Sequence, residues 1–269
     1  MTHSANWMTA TSTPKMDPET LRHYKDCGIE GVEISLPWRE YDSDKLPLFA
    51  RNAKEADMTI CSLHLPFARE VNIAALDEDV RAETLAKHRN SIAIGAANGI
   101  HRFVLHPSAE PIADEDRARS MQLAKESLAE LAQWAAEHDS VICVEDLPRT
   151  CLGHTADEML ELISADERLR VCFDVNHLLT SYGSTHAEFV QKLGSKIETL
   201  HLSDYDFIDE RHFLPGNGLI NWNEVITLLE EADYSGPFMY EVSRTNAPGA
   251  LDYAELRKRQ LQIKAYTGK

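Results

Sequence analysis

Short apolar runs rich in β-branched residues alternate along the chain with longer stretches whose apolar positions recur at helical spacing. The pattern predicts strands over 6–11, 31–35, 59–63, 102–105, 141–144, 170–173, 197–202 and 238–242. Between them it predicts helices over 18–27, 43–57, 77–98, 114–138, 155–164, 185–193 and 223–232, and a charged helix from Leu251 closes the chain. Asp17-Pro18 reads as an N-cap with proline at the first helical position, Gly28 as that helix's C′ residue, and Thr155 as a further cap. Eight β-then-α units with short apolar strands predict a (β/α)8 TIM barrel of the α/β class, one domain spanning 1–269. An open doubly wound sheet is the rival, but no GxGxxG follows the first strand.

What ends the strands carries the chemistry. Polar residues of metal-ligand type stand where six apolar runs stop: His64, His106, Glu145, Asp174, His201 and Glu241. Residues two apart share a face of a strand, so Glu145 shares a side with Cys143 and Val141, and Asp174 with Cys172. Ile142, Val144 and Phe173 then face the helices. All six polar groups are expected at the C-terminal rim, where barrels of this kind place their active sites. A cluster of buried carboxylates repels itself unless a cation neutralises it, so Glu145, Asp174, His201 and Glu241 are read as one divalent-metal site. Three oxygen donors and one imidazole favour Mn2+, with Mg2+, Co2+ or Zn2+ as alternatives.

After the seventh strand comes SDYDFIDERHFLPGNG, a loop too long and too charged for a plain connection, closing on a sharp turn at Pro215–Gly218. Arg211 is a candidate substrate contact, with a salt bridge to Asp206 or Asp209 as its competing role. His177, in the turn after the sixth strand, is a candidate for substrate or for a further metal. Glu33, inside the second strand, reads as structural; Trp7, Trp38 and Phe67 are candidate pocket walls; His138, His154 and His186 read as surface residues.

Composition narrows the partners. Lys and Arg total 27 against 44 Asp and Glu, a formal charge of −17 that disfavours a nucleic-acid partner. The N-terminal residues show no signal-peptide pattern, and no apolar run is long enough to span a membrane, so a cytoplasmic protein is expected. The five cysteines contain no CxxC and read as reduced core residues. No Gly-rich phosphate cradle stands out, which favours an unphosphorylated ligand. A homo-oligomer is compatible with all of this.

GVEISL, VLHPS, VEDLPRTCLGHT, CFDVNHLL, HLSDYDFIDERHFLPGNGLINW and GPFMYEV together resemble the xylose isomerase-like TIM-barrel superfamily, in its sugar (phosphate) isomerase/epimerase branch. The resemblance implies one divalent metal held by Glu145, Asp174, His201 and Glu241, with Glu145 and Glu241 as the acid/base pair working through an enediolate. It places His177 and Arg211 among substrate-contacting positions, and His64 and His106 are further candidates for substrate binding. Endonuclease IV shares this barrel, and His64, His106 and the Glu210–His212 triplet also fall where that nuclease holds additional zinc; with His177, the residues His64, His106, Glu210 and His212 are the candidates for a further metal. Glu210 stands where the nuclease's DRH motif has Asp, and LPRT follows Glu145 in place of small residues; with the negative charge, these departures favour the sugar enzyme. A keto-sugar or cyclitol dehydratase would use the same proton abstraction, and a non-enzymatic sugar- or metal-binding barrel is the third reading.

Overall fold

Parallel strands β1 (Thr9–Thr13), β2 (Gly31–Ser35), β3 (Thr59–His64), β4 (Arg102–Leu105), β5 (Val141–Glu145), β6 (Arg170–Asp174), β7 (Ile197–His201) and β8 (Phe238–Tyr240) form one sheet in the order β7-β6-β5-β4-β3-β2-β1-β8. This is a computed structural model, and it describes residues 7–243 and 251–267. The sheet closes through Leu202, whose N–H donates to Met239 O at 2.8 Å and whose carbonyl accepts from Glu241 N at 3.1 Å. Around it stand α1 (Pro18–Asp26), α2 (Leu46–Glu55), α3 (Glu78–Ala97), α4 (Asp114–Ala136), α5 (Ala156–Ile163), α6 (His186–Leu193), α7 (Trp222–Glu231) and α8 (Tyr253–Thr267). The chain is a (β/α)8 barrel, as its sequence pattern predicts.

Local chemistry starts the helices where expected. Asp17 accepts from Thr20 N ahead of α1, and Thr155 accepts from Glu158 N ahead of α5, each satisfying a donor that the first helical turn leaves open. The alternation along the strands then divides the side chains into two layers. Ile142, Val144, Phe173 and Leu200 are buried outside the barrel against the helices, each such burial worth about 1.5–3 kcal/mol. Inside lie separate small clusters of Val104, Cys143 and Cys172, and of Ala10, Cys61 and Met239. Gly31 belongs to this interior: a Cβ there would lie 2.5 Å from Cys61 Sγ and 2.8 Å from Met8 Sδ.

The first strand is displaced from its predicted position. It covers Thr9–Thr13 instead of 6–11, and Asn6 lies outside the described residues. Trp7 looks like a strand residue but packs in the helix-facing layer just before β1, stacked on Phe238 at 4.4 Å with its Nε1 donating to Tyr234 O. It therefore does not wall the pocket at the C-terminal rim. The polar Thr-Ser-Thr run extends the strand because β2 pairs with all three residues, with β8 alongside at Thr11. His186 is another correction: it is buried, and its Nε2 faces Val175 O at 2.8 Å, where it satisfies a carbonyl beside the barrel rim.

The long loop after β7 is organised by one carboxylate. Asp204 is fully buried and accepts from Tyr205 N, Ile220 N, Gly216 N and Trp222 Nε1, at 2.7–3.1 Å. Gly218 packs so tightly on this carboxylate and on the Tyr205 backbone that any Cβ would collide with them. Removing the acceptor strands four donors, so Asp204→Ala is expected to lower unfolding stability by about 3 kcal/mol or more, and Asp204→Asn by less. Denaturant unfolding checks this; an Ala variant within about 0.5 kcal/mol of the parent would remove Asp204 as the organiser of the loop.

Candidate metal centre

Each rim residue sits two positions beyond an interior residue of its own strand direction: His106 beyond Val104, Glu145 beyond Cys143, Asp174 beyond Cys172, His201 beyond Thr199, Glu241 beyond Met239. The pleat therefore aims them all along the barrel axis. Ligand atoms of Glu145, Asp174, His201 and Glu241 lie within 4.8 Å of one another, and all but the half-buried Glu241 are buried. From His201 Nδ1 the nearest carboxylate oxygens are 2.9 Å (Glu145), 3.2 Å (Glu241) and 3.9 Å (Asp174) away.

Three of the histidines share one arrangement. His201 Nε2 contacts Glu33 Oε1 at 2.9 Å; His64 Nδ1 lies 2.9 Å from Leu65 O, and His177 Nδ1 lies 2.7 Å from Asp146 O. These partners only accept, so the nitrogen facing each of them carries the proton. The other nitrogen then points at carboxylates: His64 Nε2 at Glu145 (3.1 Å), His177 Nε2 at Glu210 (3.4 Å) and Asp174 (3.5 Å), His201 Nδ1 at its three. A lone pair facing carboxylate oxygens is repulsive unless a proton or a cation lies between them. Asp174 Oδ2, buried without a hydrogen-bond partner, adds a second open coordination position. This donor set suits a divalent metal.

The electrostatics agree. Burial disfavours charge on His201, but the carboxylates of Glu33, Glu145 and Glu241 outweigh it and hold the imidazole pKa well above the usual value. Burial pushes the Asp174 carboxyl up to about 6 despite the neighbouring His177. Glu145 is equally buried, yet His201 and His106 hold it well below the ordinary carboxylate range. Burial also raises Glu210, but its contact with His177 and the nearby Arg149 bring it down to about 2. Without a cation, the positive charge facing these carboxylates comes from His201 and His177, with Arg149 on Glu210.

A cavity of about 310 Å3 opens above the cluster, lined among others by Phe67, His106, Arg149, His177, Glu210 and His212. His106 Nε2 reaches Glu145 at 3.1 Å while its ring stacks on exposed Phe67 at 3.7 Å. His212 Nδ1 lies 3.0 Å from Glu241 O. Ligand atoms of His64, His106 and Glu145, and separately of Asp174, His177 and His212, lie close enough to hold further ions. Trp38 does not line this cavity.

Arg211 is the predicted residue that the fold places elsewhere. Its Nε donates to Asp206 at 2.9 Å, and it is not among the residues lining the cavity. Arg149 lines it instead, bonded to Glu110, Asp209 and Glu210. Two further participants are not apparent from sequence alone. Glu33 holds His201, and buried Asp146 accepts from Asp174 N at 2.7 Å; adjacency to Glu145 is the only sequence signal for Asp146.

Known proteins place this architecture. The uncharacterized protein MJ1311 of Methanocaldococcus jannaschii is 29% identical over 258 residues, 93% of this chain and 86% of that protein. A D-psicose 3-epimerase of Enterocloster bolteae is 25% identical over 130 residues, 47% of this chain and 40% of that protein. The crystal structure of a D-tagatose 3-epimerase-like protein superposes with a TM-score of 0.79 at 21% identity, covering 97% of this chain and 98% of the other. The family model described as xylose isomerase-like TIM barrel matches residues 21–262, and this chain belongs to that family.

Proposed function

We propose that this protein is a divalent-metal-dependent sugar isomerase or epimerase that moves a proton at the carbon next to a carbonyl. The carrying observation is the convergence of Glu145, Asp174 and Glu241 on His201 Nδ1 beneath a cavity of sugar size. The local likeness to a D-psicose 3-epimerase supports a ketose substrate. Glu145, Asp174, His201 and Glu241 would hold the metal. When bound, a divalent ion supplies Lewis acidity that polarises the sugar carbonyl.

The protein's own groups do the rest. One carboxylate of the Glu145/Glu241 pair removes the proton from the carbon beside the carbonyl, and the C–H electron pair becomes the enediolate double bond. The other carboxylate returns a proton. Delivery to the opposite face of the same carbon inverts it; delivery to the neighbouring carbon, with the hydroxyl proton passing to the former carbonyl oxygen, exchanges aldose and ketose. His177, fixed through Nδ1 and held doubly protonated by the carboxylates of Asp174 and Glu210, is positioned to donate from Nε2 to a substrate oxygen as negative charge develops. His64 and His106 crowd the Glu145 carboxylate from the other side and bound the space for the substrate. Phe67 offers an exposed apolar ring at the cavity wall, suited to the C–H face of a sugar.

A second reading has a specific basis: the additional groups His64/His106/Glu145 and Asp174/His177/His212 fit a multi-zinc phosphodiesterase. The acidic balance of 44 Asp and Glu against 27 Lys and Arg weighs against a polyanionic substrate. Metal stoichiometry separates the two. Protein stripped with EDTA and reloaded is expected to retain about one Mn2+ per chain by elemental analysis, and Asp174→Asn to retain little of it. Two or three tightly held zinc ions per chain would favour the phosphodiesterase and make abasic-site DNA the first substrate to test.

The proton transfer has its own test. Ketoses incubated with the Mn2+-loaded enzyme in D2O are expected to gain deuterium next to the carbonyl, detected by NMR or mass spectrometry. Glu145→Gln, assayed at saturating Mn2+, is expected to slow this exchange about 10²–10⁴-fold. A metal-loaded Gln variant that keeps most of the turnover would remove Glu145 from the acid/base pair.

A further inference from the structure

Among the buried carboxylates that the proton transfer does not use, Glu33 is the one hydrogen-bonded to His201. Glu33, on β2, is fully buried inside the barrel, and among the described residues its only ion-pairing partner is His201. One oxygen, Oε1, faces His201 Nε2 at 2.9 Å; the other, Oε2, accepts from Ser62 Oγ at 2.6 Å. Ser62 is itself fully buried on β3, two residues before His64. A carboxylate so enclosed is costly unless both oxygens are hydrogen-bonded, and here a hydroxyl and an imidazole N–H perform that task.

The consequence falls on His201. A free imidazole can carry its proton on either nitrogen, and its ring can turn about the bond to Cβ. Glu33 accepts only, so it keeps the proton on Nε2 and leaves Nδ1 as the nitrogen facing Glu145, Glu241 and Asp174. The same negative charge, placed behind the ring, strengthens Nδ1 as a donor. Ser62 fixes the carboxylate's own rotation, so the orientation passes from β3 through Glu33 to the ring.

We propose that Glu33 is a positioning residue for the metal centre: it selects the His201 tautomer that presents Nδ1 to the cation, with Ser62 holding Glu33 in turn. The inference rests on the metal assignment proposed above and not on the identity of the substrate. A carboxylate that merely filled the barrel interior would leave metal binding unchanged when replaced by the near-isosteric amide.

The test is a titration of the whole, metal-stripped protein with Mn2+, read by the EPR signal of free Mn2+, and with Co2+, read by its visible absorption. Glu33→Gln is expected to raise the Mn2+ dissociation constant about 10–100-fold and to shift the Co2+ bands. Ser62→Ala, which keeps the carboxylate, is expected to raise it about threefold or more. A folded Glu33→Gln protein binding Mn2+ within twofold of the parent overturns the proposal. Should that variant fail to fold, an unchanged Mn2+ affinity in Ser62→Ala overturns it instead. If the parent protein binds no Mn2+, the metal assignment falls as well, so the two failures are distinguishable.

Discussion

Three carboxylates meeting one imidazole nitrogen at a largely buried barrel rim set the constraint on which the site depends. Like charges at such distances repel strongly once water is excluded, and the lone pair of His201 Nδ1 adds to the repulsion. The fold must bring in positive charge, as protons on the histidines or as a metal. For His201, His64 and His177, the nitrogen turned away from the centre meets an acceptor: Glu33, the Leu65 carbonyl and the Asp146 carbonyl in turn. Those acceptors keep the outer nitrogens protonated and leave the inner ones free, which is how a protein prepares imidazole for a cation.

The barrel supplies the geometry cheaply. Small or slender interior residues such as Cys143, Cys172 and Thr199 lie beneath the acidic and imidazole groups, so the polar layer is seated on a packed floor. Closure of β7 onto β8 through Leu202 brings His201 and Glu241 together from strands whose sheet contact is otherwise short. Beyond the rim, the Asp204 carboxylate shapes the loop that returns Glu210 and His212 to the mouth. Arg149 ties that loop to the ones carrying Glu110 and itself, through salt bridges to Glu110, Asp209 and Glu210. The cavity wall is thus a set of cross-linked loops on a rigid barrel.

Much of this could be read from the chain because the rim interrupts a regular pattern. A histidine or carboxylate at the end of an apolar alternation is conspicuous, and the period of the strand fixes which way it points. The residues that escaped are those whose role depends on a distant partner. Glu33 lies mid-strand and meets its imidazole 168 positions later, with nothing local to mark the pairing. Arg149 and Arg211 look equivalent as sequence; only the loop geometry turns one to the cavity and the other to Asp206. His186 opens a helix, an ordinarily exposed position, and is buried because the Val175 carbonyl needs a donor. For Trp7, whose side chain favours strands, packing on Phe238 overrode residue preference.

The central claim is that a divalent cation completes this rim, and diffraction tests it most directly. Crystals soaked in Mn2+ and measured for anomalous scattering should show one strong peak among Glu145, Asp174, Glu241 and the Nδ1 of His201, with metal–ligand distances of about 2.0–2.4 Å. A well-ordered rim with no anomalous density between these four side chains, or with manganese bound only elsewhere, would contradict the account.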